Sequence, residues 1–149
     1  MSAPEGARDA GAIGRASWWG TAVFTLAAVG AVLYSALETV AFAVSVALFF
    51  VGCFAFIAAY ARAVSRSRVD LIAVTSLFFL AGSAPKNVRR SLLASLAVQV
   101  IVALATAIAR PYTSLAAGTL VPAYGLGLCG LWAARHGTFR PRTDPTTTE

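Results

Sequence analysis

The chain has 149 residues, of which 58% are hydrophobic and only 12% charged, and its mean hydropathy is +0.75. Soluble domains carry about a quarter charged residues, so a water-soluble fold of this composition would lack the polar surface to cover its core. The net charge of +6 does not point to nucleic acid, because the basic residues flank apolar runs and form no face of a domain.

A transmembrane helix needs about 20 apolar residues to cross about 30 Å of hydrocarbon. Residues 1–17 read as a disordered cytoplasmic leader. The first run, residues 18–37, carries no charge. It is longer than the apolar core of a secretory signal, about 7 to 15 residues, and Glu5 and Asp9 precede it. It therefore reads as an uncleaved anchor. The second run, residues 40–61, contains eleven Val, Leu, Ile and Phe residues, which favour insertion by roughly 3 to 7 kcal/mol. Only Glu38 and Thr39 separate the two runs, which predicts a tight antiparallel hairpin. Residues 91–109 and 116–134, joined by "RPYTSL", predict a second hairpin.

Residues 71–84, "LIAVTSLFFLAGSA", are apolar but too few to span. Four spans with a cytoplasmic N-terminus leave eleven Lys and Arg inside and Arg110 alone outside, whereas five spans divide them six and six. Cytoplasmic loops are enriched in Lys and Arg, so four spans are expected. Residues 71–84 then lie at the inner interface or dip in and return. The expected fold is an all-α membrane protein with four transmembrane helices as two antiparallel hairpins, a short interfacial or re-entrant helix between them, and a disordered cytoplasmic tail, 135–149. Trp18, Trp19, Tyr60 and Trp132 fall at the inner helix ends and Tyr34 and Tyr112 at the outer ends, where amphipathic rings are favoured.

Gly125, Gly127 and Gly130 match G-x-G-x-x-G, the dinucleotide fingerprint. No strand precedes them, Pro122 lies just upstream, and phosphates would have to enter hydrocarbon. No cofactor is expected. Ala123, Gly127, Gly130 and Ala134 share one helical face. They predict a packing seam against the third helix or another subunit, since small residues let membrane helices approach closely. The alternative is that glycine is simply commoner in membrane helices. Cys53 and Cys129 lack CxxC spacing or a nearby His and read as small apolar packing residues, so no metal is expected.

The spans contain no ionisable group of the kind that marks proton-coupled transport. Their neutral polar residues are Gln99, Thr106, Thr119, Pro122 and Tyr124. Pro122 cannot donate to the Gly118 carbonyl. That carbonyl, the Tyr124 hydroxyl and the Gln99 amide are expected to bond one another or a water across the third and fourth helices. They act as interhelical glue or, alternatively, as a substrate site. Lys86, Arg89 and Arg90, together with Arg135, Arg140 and Arg142, form two basic patches facing the anionic inner leaflet. Their role is contact with lipid or an acidic partner, or topology alone. His136, the only histidine, reads as a solvated loop residue.

Residues 84–139, with "RPYTSL" and "GLWAARHGTF" as their most specific pieces, resemble small uncharacterised membrane proteins of actinobacteria. The resemblance implies an integral plasma-membrane protein and carries no catalytic residue. The expected role is an accessory or structural subunit packing against itself or a larger membrane complex. A small transporter or channel with a neutral lining is the alternative, and a lipid-modifying enzyme ranks last because no catalytic constellation is visible.

Overall fold

The computed structural model describes residues 5–66, 70–71, 74–111 and 113–141, with the backbone alone for 5–10, 66, 70, 71, 74, 75, 140 and 141. In chain order they form α1 (Glu5–Leu33), a 3-10 turn (Ser35–Leu37), α2 (Glu38–Arg66), β1 (Asp70–Leu71), α3 (Val74–Phe78), α4 (Lys86–Ala109), a 3-10 segment (Ser114–Leu120), α5 (Pro122–His136) and β2 (Arg140–Pro141). Four stretches, Gly11–Leu33, Ser35–Ser65, Lys86–Ala109 and Ser114–His136, are long and apolar enough to cross a membrane. Leu26, Phe54, Ile57, Ile101 and Ile108 point outward and are between 61% and 78% exposed, while Ala28, Ala31, Ala41, Ala59, Ala103 and Ala133 are buried. Large apolar groups left outside while these alanines pack inside suit a lipid solvent and would aggregate in water.

The helix ends depart from the sequence reading for local reasons. α1 starts at Glu5, so the leader expected to be disordered is helical from that point. α1 stops at Leu33 because the chain tightens, with the Leu37 N–H donating to the Tyr34 carbonyl at 3.0 Å. α4 begins at Lys86 and not at residue 91, immediately after Pro85 in an extended conformation (φ −56°, ψ 145°). Proline fixes that start. Lys86, Arg89 and Arg90 fit in the terminal turns, where long stems snorkel their charges out of the apolar region.

The last span is not one continuous α-helix. Pro122 takes the first α-helical position, where a missing N–H costs nothing. Upstream, the Val121 N–H donates to the Gly118 carbonyl at 3.0 Å. The expectation that this carbonyl loses its partner therefore fails, because a 3-10 turn supplies a donor one residue earlier than an α-helix would.

Side-chain pairs set the helix neighbours. Ser17 meets Ser95, Thr21 meets Gln99, and Phe24 shares a buried cluster with Ala103, so α1 and α4 advance together. Gly52 lies against Ala123, Phe56 against Gly127 and Ala59 against Gly130, so α2 and α5 advance together.

α3 has five residues, a rise of about 7.5 Å, and does not span. Among the described residues of the expected segment 71–84, Val74–Phe78 are helical. Leu77, Phe78 and Leu80 are buried, and the Phe78 ring stacks on Phe56 with centroids 4.5 Å apart. Leu80 sits at φ 50°, a left-handed conformation costing about 1–2 kcal/mol, and its complete burial offsets that cost. The chain after α5 returns to this segment. The Thr138 N–H donates to the Ser83 carbonyl at 3.1 Å, and β2 pairs antiparallel with β1, Asp70 opposite Pro141. Residues 135–141 of the tail expected to be disordered are therefore ordered, and 142–149 lie outside the described residues.

Trp18, Trp19, Tyr34 and Tyr60 are exposed, but Trp132 is 4% exposed and packs with Leu80, Leu92 and Cys129. It is a core residue and not an interfacial anchor. Tyr112 lies outside the described residues. Leu80→Ala should cost about 2 to 5 kcal/mol, read as a lower melting midpoint in detergent. An unchanged midpoint would mean that the turn after α3 is not anchored there.

Candidate functional site

Four buried polar residues, Ser17, Thr21, Ser95 and Gln99, gather between α1 and α4, while Ser45 and Thr106 bond within their own helices and Ser83 bonds to Ser76. Ser17, Thr21 and Thr25 recur every fourth residue on α1, as do Ser91, Ser95 and Gln99 on α4, so each set lines one face. The Thr21 hydroxyl donates to the Ser17 carbonyl at 2.8 Å and accepts from Gln99 Nε2 at 2.7 Å. Ser95 Oγ shares hydrogen bonds with Ser17 Oγ at 2.6 Å and with Thr21 Oγ1 at 2.9 Å. One turn towards the helix starts, the Trp18 indole donates to Ser91 Oγ at 3.0 Å. All these groups are neutral. They can fix one helix against another, and none of them changes charge near neutral pH.

Gln99 is fully buried, and its Oε1 has no hydrogen-bond partner. That oxygen lies 2.6 Å from where a Cβ on Gly125 would stand, so the absent side chain at 125 makes room for the amide. Gln99 thus presses on α5 while donating to α1.

The second seam joins α2 to α5. A Cβ on Gly52 would stand 2.5 Å from both the Cα and N of Tyr124, and one on Gly127 would meet the Gly52 carbonyl oxygen. The two backbones touch, which only glycine permits. Gly130 makes room for the Phe78 ring and faces Ala59, and Ala134 shares a buried cluster with Ala59, Ala63 and Phe78. The face Ala123, Gly127, Gly130, Ala134 therefore meets α2 and α3 within the same chain, and not α4, the third helix. The glycine that completes the seam, Gly52, stands alone in an apolar run and has no motif around it.

Tyr124 ties the seams together. Its hydroxyl donates to the Ala16 carbonyl on α1 at 2.6 Å, and its ring fills space that Gly20 leaves open. The proposed cluster of Gln99, Thr106, Thr119, Pro122 and Tyr124 does not assemble. Thr106 donates to the Val102 and Ala103 carbonyls of its own helix, and Thr119 to Ala116 at an exposed position. Gln99 and Tyr124 both turn to α1, a partner the sequence reading did not consider.

At the end of the bundle holding the α1–α2 turn, Arg110 Nη1 pairs with Glu38 Oε1 at 2.6 Å. Arg15, Arg62, Lys86, Arg89, Arg90 and Arg135 lie towards the opposite end. Lys86, Arg89 and Arg90 line a cavity of about 590 Å³ with Leu93 and Ala94. Arg135 is exposed, Arg140 is placed by its backbone, and Arg142 lies outside the described residues. His136 is no loop residue. It closes α5, half-buried, with its ring 5.5 Å from Trp132. Cys53 lines an apolar groove of about 320 Å³ with Phe56, Ile57 and Leu126, and Cys129 is buried. Among the described residues, no group of three or more His, Cys, Asp or Glu gathers in metal-binding geometry.

Comparison with protein-family models, curated proteins and solved structures finds no match to this chain.

A double-mutant cycle of Thr21→Val and Gln99→Leu should give a coupling of about 0.6 to 2 kcal/mol, measured by unfolding in mixed micelles. Strict additivity would show that the hydroxyl–amide bond contributes nothing. Gly127→Val should cost at least about 1 to 3 kcal/mol by overpacking, and Gly127→Ser less. Equal stability of all three proteins would contradict backbone contact at this seam.

Proposed function

We propose that this chain is an integral plasma-membrane protein of two antiparallel hairpins, α1–α2 and α4–α5, with both termini in the cytoplasm and α3 at the inner interface. Its role is that of a structural or accessory subunit. The short linkers and the matched order of the helix contacts support the hairpins. The charge distribution supports the orientation. Among the residues whose side chains are described, Arg110, next to Glu38, is the one cation at the end holding the α1–α2 turn, while Arg15, Arg62, Lys86, Arg89, Arg90 and Arg135 lie towards the opposite end, as the enrichment of cytoplasmic flanks in Lys and Arg favours.

One observation carries the accessory reading. The interior polar groups Ser17, Thr21, Ser95, Gln99 and Tyr124 are engaged in holding the helices together, so recognition falls to the outer surface and the basic end. A partner, or a second copy, would meet lipid-facing side chains such as Leu26, Phe54 and Ile108, since the small-residue seam is occupied within the chain. The transporter reading is weaker. It needs Gln99, Thr106 and Tyr124 on one passage, and they make separate contacts with different neighbours.

Two measurements test this. In intact cells a membrane-impermeant maleimide should label Ala36→Cys, and should label Asn87→Cys only after permeabilisation. The reverse pattern would invert the orientation. Gentle extraction followed by native electrophoresis should place the chain in an assembly larger than one copy. A lone monomer, together with solute flux in liposomes that Gln99→Leu abolishes, would favour the transporter instead.

A further inference from the structure

We propose that the start of α4 holds one anionic phospholipid, with its phosphate on Lys86, Arg89 and Arg90 and an acyl chain running down the helix from Leu93. The inference rests on the membrane reading above and adds a defined ligand to it. The cavity of about 590 Å³ is lined by three cationic side chains and, one turn further along α4, by Leu93 and Ala94. Cations at the helix start followed by apolar side chains along the helix are the profile of a lipid headgroup with its chain, and not of a soluble anion. The apolar strip continues beyond the cavity. Arg90, Leu93, Ala97, Ile101, Leu104 and Ile108 recur at three- and four-residue spacing along one face, and Ala97, Ile101, Leu104 and Ile108 are exposed. The depth also fits. Trp18 donates to Ser91 next to Arg90, and indoles settle at headgroup level. Two further features favour a phosphate. No side chain caps α4, so its first-turn N–H groups face the same end, and Arg binds phosphate with paired donors. Arg135 stands apart on α5 and takes no part in lining this cavity.

The test is native mass spectrometry of the purified chain released from nanodiscs of equal phosphatidylglycerol and phosphatidylcholine. One phosphatidylglycerol should remain bound. Arg89→Gln/Arg90→Gln should weaken retention about thirtyfold, at about a tenfold change per 1.4 kcal/mol and near 1 kcal/mol per basic residue. Leu93→Trp, which keeps every charge but fills the floor, should also release it, and Arg135→Gln should not. Excess soluble glycerol phosphate should fail to displace it. Equal retention of phosphatidylcholine, undiminished retention in both α4 variants, or displacement by glycerol phosphate would overturn the site. A chain that enters nanodiscs without lipid preference refutes this site alone. A chain that stays monomeric and soluble without detergent refutes the membrane reading beneath it.

Discussion

Between two helices in hydrocarbon, burying an apolar side chain gains almost nothing, because lipid tails already solvate it. Association must come from close backbone approach and from hydrogen bonds that lipid cannot offer. This chain uses each device in a separate place. Gly52 and Gly127 bring α2 and α5 into backbone contact, and hydroxyls and one amide join α1 to α4. Tyr124 belongs to both, with its backbone against Gly52 and its hydroxyl on α1. The side chains left outside can then be large and apolar without harm to packing.

The ends of the bundle follow a different logic, because water and headgroups are available there. Arg110 and Glu38 are both only partly buried where they pair, and such pairs contribute about 0 to 1 kcal/mol. Their importance is to keep charge near zero at that end. At the other end, Phe78 of α3 packs against α2 and α5, and β2 returns to pair with β1. Lys86, Arg89 and Arg90 start α4 in the open. Interior hydrogen bonds that run from helix to helix and a basic rim are the properties from which the accessory role and the lipid site are respectively argued.

Four long apolar helices were legible because span length and hydropathy are local properties of consecutive residues. The helix neighbours were not. Ser17 and Ser95 are 78 positions apart, and serine is ordinary in membrane helices, so neither residue announces the other. The spacing Ser17–Thr21–Thr25 and Ser91–Ser95–Gln99 was the available signal, two ladders at four-residue spacing that hold five hydroxyls and one amide in runs otherwise apolar. The glycines of α5 could be read as a close-packing face, yet periodicity states which residues share a face and not which helix meets it. Gly52, a single glycine, carried no pattern at all. Pro122 shows the opposite limit. Counting one missing donor is sound chemistry, but the chain shifted to 3-10 geometry and Val121 donated instead, a choice between backbone forms too close in energy to read from residue types.

The most direct test of this arrangement is a disulfide between Ser17→Cys and Ser95→Cys in an otherwise cysteine-free chain, oxidised in native membranes with iodine, which enters hydrocarbon. The hydroxyls they replace are 2.6 Å apart within one chain. The account predicts a rapid intramolecular link, seen as a faster-migrating monomer that reverts on reduction. Thiols that stay free, or links only between separate copies, would contradict it.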